Sequence, residues 1–205
     1  APYVTMTQQA MALFGKPAES FTVSGGGFRS PGELTVEGDW SNAAFFLAAK
    51  ALGSSITVQN LNPDSPQGDR ACARLLPALA ADNLTICAAD IPDLVPILAV
   101  VAACNRGVVF TNIARLRLKE SDRLRTTAQL LTALGGSVEE QPNGLLIHGT
   151  GRLRGGIADS CGDHRIAMSA AVAACICGHA VTVSGSECVS KSYPRFWEDL
   201  EALKG

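Results

Sequence analysis

Aromatic side chains are scarce in this chain: they make up 5% of its 205 residues, and the formal net charge is only −2. A nucleic-acid groove needs stacking rings and a surplus of cations, so both shortages argue against that partner. Charged residues of either sign amount to 18%, against 47% hydrophobic ones. That balance excludes an extensively disordered chain and leaves ample material for a core. No apolar run reaches the roughly 18–20 residues that a membrane span requires, so no membrane partner is expected. A secretory signal is not expected either. The seven cysteines are odd in number, and Cys104, Cys175 and Cys177 fall inside apolar helical runs. They read as reduced core residues of a cytoplasmic protein. Cys175-Ile176-Cys177 lacks metal-ligand spacing, so no zinc site is expected.

Because charge is sparse, its placement is informative. Three times an acidic residue opens an almost wholly apolar helical run that gives way to a β-branched strand. The openings are Gly38-Asp39-Trp40-Ser41-Asn42 leading into 43–52, Ile91-Pro92-Asp93-Leu94 into 95–103, and Gly162-Asp163-His164-Arg165 into 166–177. Strands are expected at 55–59, 107–111 and 180–184, and amphipathic helices at 69–80, 121–134 and 194–203. A hairpin is expected at 138–140 and 145–148, turned by Asn143-Gly144. Ahead of the first unit, Met6 to Phe14 has helical spacing, and strands are expected at 21–24 and 33–36 around a glycine-rich turn. A helix that is apolar nearly all round must be buried. The economical arrangement packs the three apolar helices together, giving an α/β domain of three repeated units with pseudo-threefold symmetry. Asp39, Asp93 and Asp163 then stand at equivalent helix starts, where a shared site could form.

Lys119-Glu120-Ser121-Asp122-Arg123 is the densest charged segment and is expected to open the helix at 121–134. A helix N-terminus favours anions, so Lys119 and Arg123 stand there against the dipole. A bound phosphate or carboxylate would relieve the conflict. Taken alone, the segment also reads as a solvated turn with Glu120 and Arg123 as an i,i+3 pair. Asp163-His164-Arg165 repeats the oddity: Asp163 is a good cap, and Arg165 is a first-turn cation shaped for bidentate anion binding. His164 by itself reads as a structural hydrogen-bonding residue. Asp93 by itself reads as a cap; among converging cations it becomes a carboxylate held ionised, and so a base. Lys191 precedes the last helix, whose first turn would hold Pro194. Alone it is surface decoration. If the helix mouths converge, Lys119, Arg123, Arg165 and Lys191 meet Asp93 and Glu120, a set suited to a doubly anionic substrate and proton transfer.

These segments, in their order along nearly the whole chain, resemble the 5-enolpyruvylshikimate-3-phosphate (EPSP) synthase family. The residues that carry the resemblance are Val36-Glu37-Gly38-Asp39-Trp40-Ser41-Asn42-Ala43, Ile91-Pro92-Asp93, Lys119-Glu120-Ser121-Asp122-Arg123-Leu124, Gly162-Asp163-His164-Arg165-Ile166-Ala167-Met168 and Lys191-Ser192-Tyr193-Pro194. Each is weak alone, and together they are specific. The resemblance implies a two-domain α/β enzyme, each domain built from three similar units around buried helices. Residues 1–36 would be a remnant of the front domain's last unit, and 37–205 the C-terminal domain. It further implies transfer of the enolpyruvyl group of phosphoenolpyruvate to the 5-hydroxyl of shikimate 3-phosphate, with release of phosphate and no metal or organic cofactor. Asp93 would act as base on the shikimate hydroxyl, and Lys119 and Tyr3 would also face shikimate 3-phosphate. Arg123, Arg165, Lys191 and His164 would surround phosphoenolpyruvate. Glu120, with Lys191, would handle the proton at the methylene carbon. Arg115 departs from the pattern, since many members carry an amide there.

The family closes two domains over its substrates. A missing front domain is therefore an expected partner, and the chain alone is expected to have little or no activity. Two other readings compete. One is the related transferase acting on UDP-N-acetylglucosamine, against which the Lys-Glu-Ser-Asp-Arg segment argues. The other is a non-catalytic anion-binding domain of the same fold, against which the retained carboxylates Asp93 and Glu120 argue.

Overall fold

A computed structural model describes residues 2–203. In chain order its elements are α1 (Pro2–Leu13), α2 (Trp40–Ala51), α3 (Cys72–Ala78), β1 (Thr85–Cys87), α4 (Val95–Ala103), β2 (Gly107–Thr111), α5 (Arg123–Ala133), β3 (Ser137–Gln141), β4 (Gly144–His148), β5 (Gly156–Asp159), α6 (His164–Ala174), β6 (Val181–Ser184) and α7 (Phe196–Ala202). Short 3₁₀ turns precede α3, α4, α5 and α7.

Every residue of α4 is buried, as are ten consecutive residues of α6 from His164 to Ala173. With α2 they pack pairwise against one another, so the three apolar helices meet at the centre as their composition demands. Side chains cap two of them: Asp39 accepts from the Ser41 and Asn42 amides, and Asp163 from the Arg165 amide. Pro96 lies in the first turn of α4, where a missing N–H costs no intrahelical bond. Leu124, Ala128, Leu131 and Leu134 form a buried stripe along α5 and its C-terminal end, as an amphipathic helix there requires. Several aromatic rings are concentrated: Phe45 and Phe46 of α2 pack edgewise or tilted on Tyr193 and Phe196, and Phe196 packs edgewise on Tyr193 and Trp197, with centroids 5.1–6.5 Å apart. This cluster fastens α7, and the turn before it, to α2.

The strands form a four-stranded sheet in the order β1-β2-β4-β3 and a two-stranded parallel sheet, β5-β6. In the larger sheet β1 and β2 are parallel and the other pairs antiparallel, and Val108 faces Ile147 and Phe110 faces Leu145. Gly107, at φ +85°, has no room for a side chain, since a Cβ would lie 2.3 Å from the Ile147 carbonyl. The hairpin turn is Pro142-Asn143 rather than Asn143-Gly144, because Gly144 pairs with Gln141 as the first residue of β4. A Cβ there would come within 2.6 Å of the Phe110 carbonyl, so sheet packing rather than the turn demands this glycine.

Three expected strands are absent. Residues 55–59 are extended, with Ile56 and Val58 half-buried and Ser55, Thr57 and Gln59 exposed. That is the alternation of a one-sided strand, but among the described residues no neighbouring strand supplies a ladder. Segments 21–24 and 33–36 likewise form no strand, and only an isolated bridge joins Glu19 to Thr22. Phe21 and Val36 lie open to solvent there, with no apolar surface to cover them. Pro194 falls before α7 rather than inside it, and Lys191 ends a separate turn, Ser186–Lys191. All seven cysteines are free, but the core reading holds only in part: Cys175 is exposed, and Cys104 and Cys177 are half-buried at the helix ends. No residue of α1 is buried, and its start meets the body near Gly68 and Asp93. No helix among the described residues is long and apolar enough to cross a membrane.

Candidate active site

The centre of the charged cluster is Arg123, the first residue of α5, which is 1% exposed. Its Nε donates to Asp163 Oδ2 at 2.8 Å, Nη2 to Asp163 Oδ1 at 3.2 Å and to Glu120 Oε2 at 2.5 Å, and Nη1 to Asp93 Oδ1 at 2.6 Å. These bonds commit four of the five N–H groups that a guanidinium offers. A buried guanidinium needs such partners, because an unpaired one would be costly. The conflict between Arg123 and the dipole of α5 is thus relieved by the protein's own carboxylates, among them Glu120, the i,i+3 partner that the sequence offered. Asp163 is fully buried and serves both helix mouths: it caps α6 through the Arg165 amide at 3.0 Å while it grips Arg123 on α5. Ser121 Oγ adds a bond to Asp163 Oδ2 at 3.1 Å.

Asp93 sits in the turn Pro92–Leu94 at the mouth of α4. Its Oδ1 also lies 3.1 Å from Lys119 Nζ and 3.6 Å from Arg165 Nε. Burial pushes its carboxyl up, but Arg165, Lys119 and Arg123 outweigh it and hold the group below its ordinary value. Its other oxygen accepts from the Tyr3 hydroxyl at 3.2 Å. Tyr3 keeps its proton, its pKa raised first by burial and then by the Asp93 charge. Glu120 is also lowered: burial opposes ionisation, and its own backbone N–H, Arg123 and Lys191 overcome it. Two ionised carboxylates therefore flank one buried guanidinium.

The other cations are held less tightly. Arg165 is 9% exposed, yet among the described residues its side chain makes only long polar contacts, from Nε to Asp93 Oδ1 at 3.6 Å and from Nη1 to the Asp93 carbonyl at 3.4 Å. Lys191 Nζ reaches Glu120 Oε1 at 3.3 Å from a largely exposed side chain. Ser192 touches Asn42 at 3.5 Å, so the first turn of α2 steadies the loop that carries Lys191. His164 is buried beside this group with Nδ1 unpartnered among the described residues. Burial, and then the Arg165 charge, lowers its pKa and favours the neutral ring.

The structure thus brings Tyr3, Asp93, Lys119, Glu120, Arg123, Arg165 and Lys191 into one connected set. Asp39 does not join it, its carboxylate being spent on Ser41 and Asn42. Sequence reasoning saw Asp163 as a cap at a helix start that could share a site, and missed its hold on Arg123; the one sequence signal was an acidic cap beside two basic residues. It also missed Asp69, a buried carboxylate in the turn Gly68–Ala71. Arg115 is exposed. A groove lined by Trp40, Leu47, Leu61, Leu76 and Pro77 shares no residue with the cluster, so the cluster is identified by its chemistry rather than by concavity. Among the described residues, no three His, Cys, Asp or Glu side chains are grouped to hold a metal ion.

The family model for EPSP synthase (3-phosphoshikimate 1-carboxyvinyltransferase) matches residues 1–85 and 80–200. The 3-phosphoshikimate 1-carboxyvinyltransferase of Clostridium acetobutylicum is 43% identical over 223 residues, which cover 99% of this chain and 52% of that protein. The one from Dehalococcoides mccartyi is 37% identical, with 100% and 53% covered. An EPSP synthase structure from Acinetobacter baumannii has the same fold, with a TM-score of 0.79 at 24% identity over 96% of this chain and 54% of that one. The chain spans about half the length of the curated relatives it matches.

Proposed function

The chain belongs to the EPSP synthase family, and on that premise we propose that it carries the C-terminal half-site of a 3-phosphoshikimate 1-carboxyvinyltransferase. The observation that carries this reading is the pairing of two ionised carboxylates, Asp93 and Glu120, across buried Arg123, beside cations with donors to spare. In the addition step, the 5-hydroxyl oxygen of shikimate 3-phosphate bonds to C2 of phosphoenolpyruvate. The hydroxyl proton passes to Asp93, and the Lys191 ammonium, 3.3 Å from ionised Glu120, supplies through it the proton that the methylene carbon gains. In the elimination step, the bond from C2 to the phosphate oxygen breaks, the methyl group gives up a proton through Glu120 to Lys191, and phosphate leaves with the proton that Asp93 held.

Arg165 and Lys191, whose contacts are long or exposed, bind the carboxylate and phosphate of the donor, with His164 lining the pocket. Lys119 and Tyr3 face the shikimate ring through Asp93. Arg123 keeps one N–H for the donor and otherwise fixes the two carboxylates relative to each other. The second half of the site belongs to the remainder of such a protein, so the chain alone is expected to bind anions weakly and not to turn over.

The test is a titration with phosphoenolpyruvate, with and without shikimate 3-phosphate and a separately supplied front half, while phosphate release is followed. Release only with both halves supports the reading. Turnover by the isolated chain overturns the half-site, and binding of a UDP-sugar in place of shikimate 3-phosphate overturns the substrate.

A further inference from the structure

Among the described residues a β hairpin occurs only in the unit of α4, the unit that also supplies Asp93, Lys119, Glu120 and Arg123. Four consecutive residues at its tip, Glu140 to Asn143, bond to the segment that leads into the site. The Asn143 carbonyl accepts from the Ile113 amide at 3.4 Å, and Asn143 Oδ1 from the Ala114 amide at 2.7 Å. The other three meet Arg117. Its Nη1 lies 2.8 Å from Glu140 Oε1, its Nη2 donates to the Gln141 carbonyl at 3.1 Å, and its Nε to the Pro142 carbonyl at 3.5 Å. Nη1 also donates to Asp122 Oδ2 at 2.8 Å. Asp122 in turn caps α5 through the Arg125 amide at 3.1 Å. One guanidinium therefore ties the hairpin tip to the start of α5, across Lys119 and Glu120.

The chain needs such a tie there. Leu116 is fully buried, but Leu118 is 86% exposed, so the backbone leaves the core just before the two charged residues. It is fastened again at Ser121, which bonds to Asp163, and at buried Arg123. Packing therefore does not fix the span between, while Lys119 must end 3.1 Å from Asp93 and Glu120 2.5 Å from Arg123. We propose that Arg117 is a positioning residue of this site: by joining the hairpin tip to the cap of α5, it holds the exposed span so that Lys119 and Glu120 reach Asp93 and Arg123. This rests on the reading of Lys119 and Glu120 as substrate-facing residues. A planar fork that serves two carboxylates and two carbonyls at once suits arginine. Stability is a poor reason for the clasp, since ion pairs as exposed as these contribute little.

The test is Arg117→Met combined with Glu140→Gln in the full chain. The pair removes one cation and one anion, so the net charge around the site is unchanged. A clasp that only stabilised the fold would leave the folded site as it was. Two readouts are taken: NMR order parameters of the Lys119 and Glu120 amides, and the pH titration of the Asp93 carboxyl carbon. Tyr3, Lys119, Arg123 and Arg165 face that carboxyl, and of these only Lys119 lies in the span the clasp holds. Lower order at both amides, with α4 and β4 unchanged, is expected. So is an Asp93 titration moved to higher pH, because Lys119 helps keep that group ionised. Unchanged order or an unmoved titration overturns the proposal. Should the double variant fail to fold, Arg117→Met alone is read by amide order, which the loss of a distant charge does not alter; unchanged order there overturns it too. Lys119→Met tests the premise separately: its affinity for shikimate 3-phosphate should fall about threefold to tenfold, the equivalent of one hydrogen bond. Undiminished binding there sinks the substrate-facing reading of Lys119, while amide order and the Asp93 titration still decide whether Arg117 positions the span.

Discussion

Arg123 and Arg165 stand at the mouths of two helices that pack together, each just behind an acidic cap and each almost fully buried, yet they end in opposite states. Arg123 is spent on Asp93, Glu120 and Asp163. Arg165 has only long contacts with Asp93. Burial and local sequence do not separate the two; the carboxylates within reach do. Arg123 is the internal counter-ion that lets three acids sit together, and Arg165 keeps its donors largely uncommitted.

The widest gap should appear in stability. Arg123→Ala leaves three carboxylates without their shared cation, two of them catalytic in the proposed scheme, and is expected to cost about 3–5 kcal/mol in urea unfolding. Arg165→Ala should cost about 1 kcal/mol or less, since Lys119 and Arg123 still hold Asp93. Equal losses would erase the distinction. Binding should reverse the order: Arg165→Ala is expected to weaken phosphoenolpyruvate affinity by about 1.5–3 kcal/mol, the range for a hydrogen bond to a charged group.

Acid stability sharpens the comparison further. Asp93 has a depressed folded-state pKa. Its contribution is therefore complete above its unfolded pKa of about 3.9 and is lost as the pH falls through the lower folded value. Arg165 is the largest of the charges that depress it, so in Arg165→Ala the acid unfolding midpoint should move to higher pH. A midpoint at or below that of the unaltered chain would show that Arg165 does not act on Asp93. The smallest effect belongs to Lys191→Met, which removes a largely exposed ion pair with Glu120. Its cost in stability should be at most about 0.5–1 kcal/mol, so any larger loss in urea unfolding would give Lys191 a structural role that its exposure does not suggest.

The first unit shows where sequence reading stops. Its helix α2 and its cap at Asp39 were legible, because apolar runs and Asx caps are local patterns. Its strand at 55–59 was legible only as an alternation, and that alternation persists in the burial without becoming a strand. A ladder needs a second chain segment at bonding distance, which no window of residues contains. Asp69 went unseen for the same reason: its partner Ser41 is 28 residues away.

What the sequence by itself determined is the set of local commitments: three apolar helices that had to be buried, acidic caps at their starts, and cations placed against the helix dipoles. The tertiary structure alone decided which of those cations would be consumed. Arg123 meets Asp93 across 30 residues of chain and Asp163 across 40. A buried charge takes whichever opposite charges the packed helices bring within about 3 Å, and that distance is a property of the packing of α4, α5 and α6, not of any one segment.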